Sequence, residues 1–273
     1  MPPYRCPVCA QALEEGPTAF ACGAGHHYDR AREGYVNLLR GGRLKGRDHG
    51  DDDAMIRARR AVFDAGLYEP LIDAVAATIA GVQPRSILDV GCGEGSYLRA
   101  AADAAACDGW GIDISKPAVR LAAKRAVPSG DGGTLRHAVA SAADLPFFDD
   151  AFDVVVNVFS PREFAEVTRV LTSPGVAIVA TPSTGHLREV VAALYDAPRP
   201  HDETVHPCPP IATTRVTVDV AVPTPDLRRD LLTMTPYWWT ATPERVTAFI
   251  DTVETVRLDV RIDSYRFGPD DGR

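Results

Sequence analysis

Apolar and polar positions divide the chain into two unlike parts. From about residue 55 onward, short apolar runs of strand length alternate with stretches of helical spacing. Ile87, Leu88 and Val90 lie in a run bounded by glycines, 152–158 is apolar at nearly every position, and 176–180 is again apolar. Such continuous runs belong to strands covered on both faces. Between them the spacing predicts helices over 55–67, 71–79, 97–106, 118–126 and 163–171, and after them helices over 226–234 and 243–251 and an alternating strand over 256–262. Ser115 and Pro117 supply the cap and first-turn signals of the 118–126 helix. Strand and helix in regular alternation make a doubly wound α/β sheet. The stretch 195–225 holds many prolines and little periodicity, which predicts an irregular insertion over the site.

The first 47 residues show no such alternation. Glycines and charges over 40–53 read as a connector, so the expected division is a small module with its basic connector over 1–47 and the α/β domain over 48–273. No internal repeat or low-complexity tract is evident. At 273 residues, 45% hydrophobic and 24% charged, the composition is that of an ordinary globular protein with ample core. The N-terminus lacks a signal-peptide pattern and no apolar run reaches membrane-spanning length, so the cytoplasm is the expected location.

Cysteine usage changes the picture of the small module. Three of six cysteines fall within the first 22 residues, in the arrangement Cys6-x2-Cys9-x12-Cys22-x3-His26. Zinc favours four tetrahedral sulfur and nitrogen ligands, and two tight loops joined by a short hairpin bring such pairs together. Four protein ligands close the site, so the expected ion is structural: it folds the segment and does not activate water. His27 competes with His26 as the fourth ligand; His26 is preferred. Charge changes it again. Against a net charge of −8, residues Arg30, Arg32, Arg40, Arg43, Lys45 and Arg47 form a basic stripe interrupted only by Glu33. A stripe of this kind suits either a polyanionic partner or a solvated face.

Candidate chemistry centres on S-I-L-D-V-G-C-G-E-G-S over 86–96. Gly91, Gly93 and Gly95 let the backbone approach a ligand closely, and the helix after them points free N–H groups at it. The dehydrogenase pattern G-x-G-x-x-G would place glycine or alanine at Ser96, and serine stands there instead. Asp89 sets a carboxylate beside the turn, able to hold a cationic or hydroxyl-bearing ligand. Asp113, 18 positions beyond Gly95, ends the second strand, where a carboxylate accepts both hydroxyls of a ribose. Asp144 is placed to reach an adenine, or is a plain loop carboxylate. The central strand ends in Asn157-Val-Phe-Ser-Pro-Arg162, and His186 comes after the next strand on the same edge, where polar groups face the ligand crevice.

L-D-V-G-C-G-E-G, W-G-I-D-I-S, A-D-L-P-F, F-D-V-V-V-N-V-F and R-V-L-T-S-P-G stand in the order found in class I S-adenosylmethionine-dependent methyltransferases, with Val176 where a second glycine is common. The resemblance implies a Rossmann-like, seven-stranded, mostly parallel sheet. C-P-V-C, the C-x3-H, R-E-G-Y-V-N-L-L, R-A-R-R-A-V-F-D-A-G-L-Y, A-T-P-S-T-G-H-L and M-T-P-Y-W-W narrow it further. Together they resemble the zinc-containing 23S rRNA guanine-N1 methyltransferases, the family that includes the tylosin-resistance enzyme, and they imply a zinc-ribbon-like N-terminal module. N-V-F-S-P-R is similar to the Gram-positive branch, with Ser160 where that branch has alanine.

By this resemblance Cys6, Cys9, Cys22 and His26 are zinc ligands. Tyr68, Gly93, Glu94 and His186 fall on positions that contact S-adenosylmethionine; Gly91, Gly95, Asp89, Asp113 and Asp144 join them from the general methyltransferase pattern. The implied reaction is an in-line displacement in which guanine N1 takes the methyl group, so alignment is the protein's main task. Asn157, Ser160 or nearby backbone is expected to orient the base, and no general base is named. An unpaired loop guanine stacked on aromatics is the sensible substrate. Tyr237, Trp238 and Trp239 serve either that stacking or the core. The implied partners are a 23S rRNA loop, gripped by the zinc module and the basic stripe, and a second copy of the chain. Two rivals stand beside this reading: a small-molecule methyltransferase of antibiotic biosynthesis, and a non-catalytic RNA-binding zinc protein.

Overall fold

Two tight turns, not a cluster of apolar side chains, organise the N-terminal segment. The computed structural model describes residues 3–40, 52–126, 133–196 and 208–267. Within the first of these, β1 (Glu14–Glu15), β2 (Ala19–Ala21) and β3 (His27–Asp29) form a small antiparallel sheet, and β4 (Val36–Asn37) leaves it. The module's apolar residues look outward for partners. Tyr4, Leu13, Phe20, Val36 and Leu38 are buried in one cluster with Trp110, Leu145, Phe147 and Phe152 of the larger domain. Tyr4 stands 5.4 Å, centroid to centroid, from both Phe20 and Phe147.

The α/β domain begins with α1 (Asp53–Asp64), α2 (Glu69–Ala80), β5 (Ser86–Val90), α3 (Ser96–Ala105), β6 (Asp108–Asp113), α4 (Lys116–Arg125), β7 (Leu135–Val139) and β8 (Phe152–Val158). It continues with α5 (Phe164–Val170), β9 (Leu171–Pro182), α6 (Arg188–Leu194), β10 (Ala212–Ala221), α7 (Pro225–Thr233), a 3-10 turn (Pro236–Trp239), α8 (Pro243–Thr252) and β11 (Thr255–Tyr265). Cap chemistry sets several starts: the side chains of Asp52, Ser115, Thr224 and Thr242 accept first-turn N–H groups of α1, α4, α7 and α8.

One eight-stranded sheet runs β10-β11-β9-β8-β5-β6-β7-β4, parallel from β9 to β4, with β11 antiparallel to β9 and β10 antiparallel to β11. Alternation along the central strands sends Ile87, Val154 and Val156 to one face, where they meet α1, α2, α3, α6, α7 and α8. Leu88 and Val155 point the other way, onto a layer built by α5 and the N-terminal module. This is the class I methyltransferase sheet with one strand more than the expected seven. The extra strand is β4, supplied by the module and paired with β7 at Val36↔Ala138 and Asn37↔Val139. A second correction concerns 195–225: this stretch contains β10, a regular ten-residue strand at the sheet edge. Val216, Val218 and Val220 alternate along it with exposed polar residues and pack on the core, a short periodicity obscured by the prolines on either side. The domain boundary expected at residue 47, together with Arg43, Lys45 and Arg47, lies outside the described residues. No helix among the described residues is long and apolar enough to cross a membrane.

Candidate functional site

At the carboxyl ends of the parallel strands lies a cavity of about 1410 Å³. One end of it is the turn after β5. Gly91, Gly93 and Gly95 have φ of +82°, +55° and +86°, a left-handed region that favours glycine. Gly91 needs its missing side chain twice over, since a β-carbon there would overlap the Cβ and Oγ of Ser160. Backbone bonds from Gly91 N (2.8 Å) and Cys92 N (2.9 Å) to Ile112 O bind the turn to β6. The Asp113 carboxylate accepts from Gly93 N at 2.9 Å and from Ser115 N at 2.8 Å, tying the ends of β5 and β6 together while facing the cavity.

Glu94, 2% exposed, accepts from Arg60 of α1 at 3.2 Å, from Arg125 of α4 at 2.8 Å and from its near neighbour Ser96 N at 3.1 Å. Its carboxylate is thus the hub on which two helices close around the turn. Beneath the turn, burial and the nearby charge of Asp113 push the Asp89 carboxyl up to about 8. Burial holds the His137 imidazole down to about 4, and its Nε2 has no partner among the described residues.

The other end is built from the chain leaving β8. Asn157 is buried and donates to Val90 O at 2.8 Å and to Pro161 O at 3.4 Å, pinning the backbone as it departs from the sheet. Phe159 then takes φ of +53°, costly for a bulky side chain, and stays 40% exposed on the cavity wall. Its ring lies 5.3 Å from that of His186, whose Nδ1 accepts from Asp259 N at 3.3 Å. Ser160, Arg162 and Glu163 line the same wall.

The N-terminal module closes the cavity from a third side through Arg5, Cys6, Pro7 and Ala10. Arg5 N donates to Pro146 O at 2.8 Å, and its guanidinium reaches Asp144 Oδ1 at 3.4 Å and Leu145 O at 3.3 Å. Behind this wall the ligand atoms of Cys6, Cys9, Cys22 and His26 all lie within 4.8 Å of one another. Two turns present them, closed by Ala10 N to Cys6 O (2.9 Å) and Gly25 N to Cys22 O (2.9 Å). Four soft or borderline donors gathered so closely fit a tetrahedral zinc ion. His27 lies on β3, exposed and apart from this set.

Of the residues predicted to contact the donor or the base, Tyr68, Gly91, Gly93, Glu94, Asp113, Asp144, Ser160 and His186 line one cavity. Three do not. Asp89 is buried under the turn. Gly95 faces α4, where a β-carbon would stand 3.0 Å from that of Ala122. Asn157, expected to orient the base, instead spends its amide on the backbone. The residue pattern does not single out Phe159, Arg162, Glu163 or Arg5. Phe159 and Arg162 stand inside the N-V-F-S-P-R motif, yet only the positive φ and the missing counter-ion distinguish them. In the basic stripe Arg32 and Arg40 are partly or fully exposed, while Arg30 pairs with Glu15 at 3.1 Å. Tyr237 and Trp238 pack on the core, Tyr237 also reaching the cavity, and Trp239 is exposed.

Comparison with known proteins agrees with this geometry. A zinc ribbon family described as "RlmA, N-terminal" matches residues 4–40, and a "Methyltransferase domain" family matches residues 87–175. The "23S rRNA (guanine(748)-N(1))-methyltransferase" of Streptomyces fradiae is 41% identical over 196 residues, 70% of this chain and 67% of its own. The "Putative 23S rRNA (guanine-N(1)-)-methyltransferase YxjB" of Bacillus subtilis is 33% identical over 284 residues, 95% of each chain. A similarly named protein of Micromonospora griseorubida is 37% identical over 219 residues, 71% of this chain and 70% of its own.

Proposed function

The chain belongs to the 23S rRNA (guanine-N1)-methyltransferases, and from that premise we propose that it methylates N1 of a loop guanine in 23S rRNA, with S-adenosylmethionine as donor. One observation carries the reading: a zinc-ribbon wall and a methyltransferase donor turn line the same cavity. A methyltransferase of free metabolites needs the turn but not the ribbon. An RNA-docking protein needs the ribbon but not an intact turn.

Bound in the cavity, S-adenosylmethionine would supply an electrophilic methyl group on a sulfonium. Gly91 and Gly93 let the backbone approach it, and Asp113 offers carboxylate oxygen at the end of β6, where ribose hydroxyls bind in such folds. Tyr68 and His186 border the same space, and Asp144, held by Arg5, stands at the wall shared with the module. Ser160 separates donor turn from acceptor wall and keeps the base near the methyl group. Cys6, Cys9, Cys22 and His26 would hold zinc as a structural ion.

Arg30, Arg32, Arg40, Arg43, Lys45 and Arg47 grip RNA phosphates in this reading, and two copies of the chain form a shared cleft. The accessibility of Arg32 and Arg40 beside the zinc module supports the first; family resemblance supports the second. Ribosomal RNA as substrate supports a cytoplasmic location. Family resemblance supports a link to tylosin-type macrolide resistance. Mapping N1-methylguanosine in 23S rRNA from cells with and without the protein tests the proposal. One guanine gaining the mark is expected; an unchanged map, or methylation of a free metabolite alone, overturns it.

A further inference from the structure

Methylation at N1 poses a chemical problem that the residues predicted from sequence leave unsolved. Guanine N1 carries a proton, and its in-plane electron pair becomes a nucleophile only when that proton leaves. The negative charge left behind is shared with O6. A site for this reaction calls for a proton acceptor at N1 and a donor at O6.

The acceptor wall holds both kinds of group. Arg162 lines the cavity with its guanidinium over the Phe164 ring, 5.5 Å from Cζ to centroid. Nη1 donates to Asn157 Oδ1 at 3.3 Å and to Ser160 O at 3.4 Å, which fixes its position. Among the described residues no carboxylate pairs with it, and its buried Nε has no acceptor. Burial accordingly lowers its pKa. Glu163, next in the chain, also lines the cavity; its carboxylate is exposed, caps no helix N–H and pairs with no described residue. A half-buried cation and an adjacent carboxylate on one wall, with neither neutralised by a described residue, are an arrangement kept open for a ligand that presents an acceptor beside a donor. Phe159, strained and exposed three residues before Arg162, offers the face on which such a base lies.

We infer that Glu163 is the base that takes the N1 proton and Arg162 the donor that holds O6 of a guanine stacked on Phe159. The inference rests on the guanine-N1 reading above. Glu163 removes the proton and passes it to water. The former N1–H pair forms the bond to the methyl carbon, and the carbon–sulfur pair returns to sulfur, leaving S-adenosylhomocysteine. Arg162 donates to O6 throughout. Tyr265 of β11 is the ionisable group whose charge bears on Arg162, and Arg5, Arg59, Glu94, Asp113, Asp144 and His186 are among the ionisable groups that line the same cavity.

The test is single-turnover methylation of a 23S rRNA hairpin by full-length, zinc-loaded protein, with S-adenosylmethionine affinity measured beside it. Glu163→Gln is expected to cut the methyl-transfer rate about 100-fold or more, to leave donor affinity within twofold, and to regain rate steadily as pH rises. Arg162→Gln is expected to cost a comparable factor and Arg162→Lys a smaller one, since lysine keeps the charge without the planar fork. Rates within twofold of the native enzyme in Glu163→Gln and Arg162→Gln overturn the inference. So does a rate lost only in proportion to donor affinity or melting temperature, which marks a structural role. Native protein that makes no N1-methylguanosine on the hairpin overturns the functional reading itself, and the inference with it.

Discussion

The two ends of the cavity are built on opposite plans. At the end built on the glycine turn the two cavity-lining carboxylates are already committed: Glu94 to two arginines and a backbone N–H, Asp113 to two backbone N–H groups. At the acceptor end Arg162 and Glu163 are left without counter-ions among the described residues, and Phe159 is held in a strained, exposed conformation. In the proposed reading the donor end would present mainly backbone and shape to a ligand whose outline is fixed. The acceptor end, in the same reading, would present open side-chain valences to a base that arrives attached to a large RNA. Preorganisation at one end is obtained by satisfying polar groups, and at the other by leaving them unsatisfied in a braced frame.

The sharpest way to break the contrast is at Gly91. Gly91→Ala sets a β-carbon into Ser160 and strains φ, a combined cost of about 2–5 kcal/mol. Calorimetry should show donor binding lost or weakened at least about 30-fold, and methyl transfer with it. Next comes pH. The unfolded chain releases the Asp89 proton near pH 4, whereas the native state holds it to about 8. Between those values the native state binds more protons, so this group's contribution to stability falls as pH rises, by about 1.4 kcal/mol per unit at most. Denaturant titrations of Asp89→Asn against native protein at pH 5 and pH 8 should show the variant gaining relative stability at the higher pH; parallel curves would remove Asp89 as a proton holder.

Third, Glu94→Ala removes the buried carboxylate that Arg60 and Arg125 share and leaves them only the half-exposed Asp64 between them. Both arginines are about one-quarter exposed and partly rehydrate, so a loss of about 2 kcal/mol is expected in the melting curve. An unchanged melt would mean that the hub is not what braces the turn. The smallest effect belongs to Arg5→Ala. The Arg5 to Asp144 contact is partly solvated, worth about 0.5–1 kcal/mol, so donor affinity should fall by a few-fold while bound zinc, measured by atomic absorption, stays at one per chain.

The same contrast explains which features are legible in the residues alone. Ligand spacing announces the zinc set because a tetrahedral ion dictates chain geometry over short distances, and three glycines announce the donor turn because backbone conformation leaves a mark on residue type. The order of elements implies the parallel sheet. Asn157 misleads for a physical reason: a polar residue at a strand's carboxyl end is equally suited to a ligand or to the neighbouring backbone, and only its 2.8 Å bond to Val90 O decides. Arg162 and Glu163 are illegible because an arginine beside a glutamate is commonplace. Their meaning lies in partners they lack, and absence of a partner has no sequence pattern. β10 escapes because the prolines on either side of it dominate the reading of 195–225, although Val216, Val218 and Val220 alternate along it and pack on the core.

The two-residue strand β4 has a consequence for engineering. It covers the carboxyl end of β7's outer edge, at Ala138 and Val139, which would otherwise offer unpaired N–H and C=O groups to any extended chain. The zinc ribbon is therefore not a detachable cassette. A chimera that swaps this ribbon for another reader of RNA must bring its own short edge strand and a tyrosine-like plug for the cluster around Phe147. Without them the catalytic domain would be delivered with an open seam, prone to strand exchange between copies during expression.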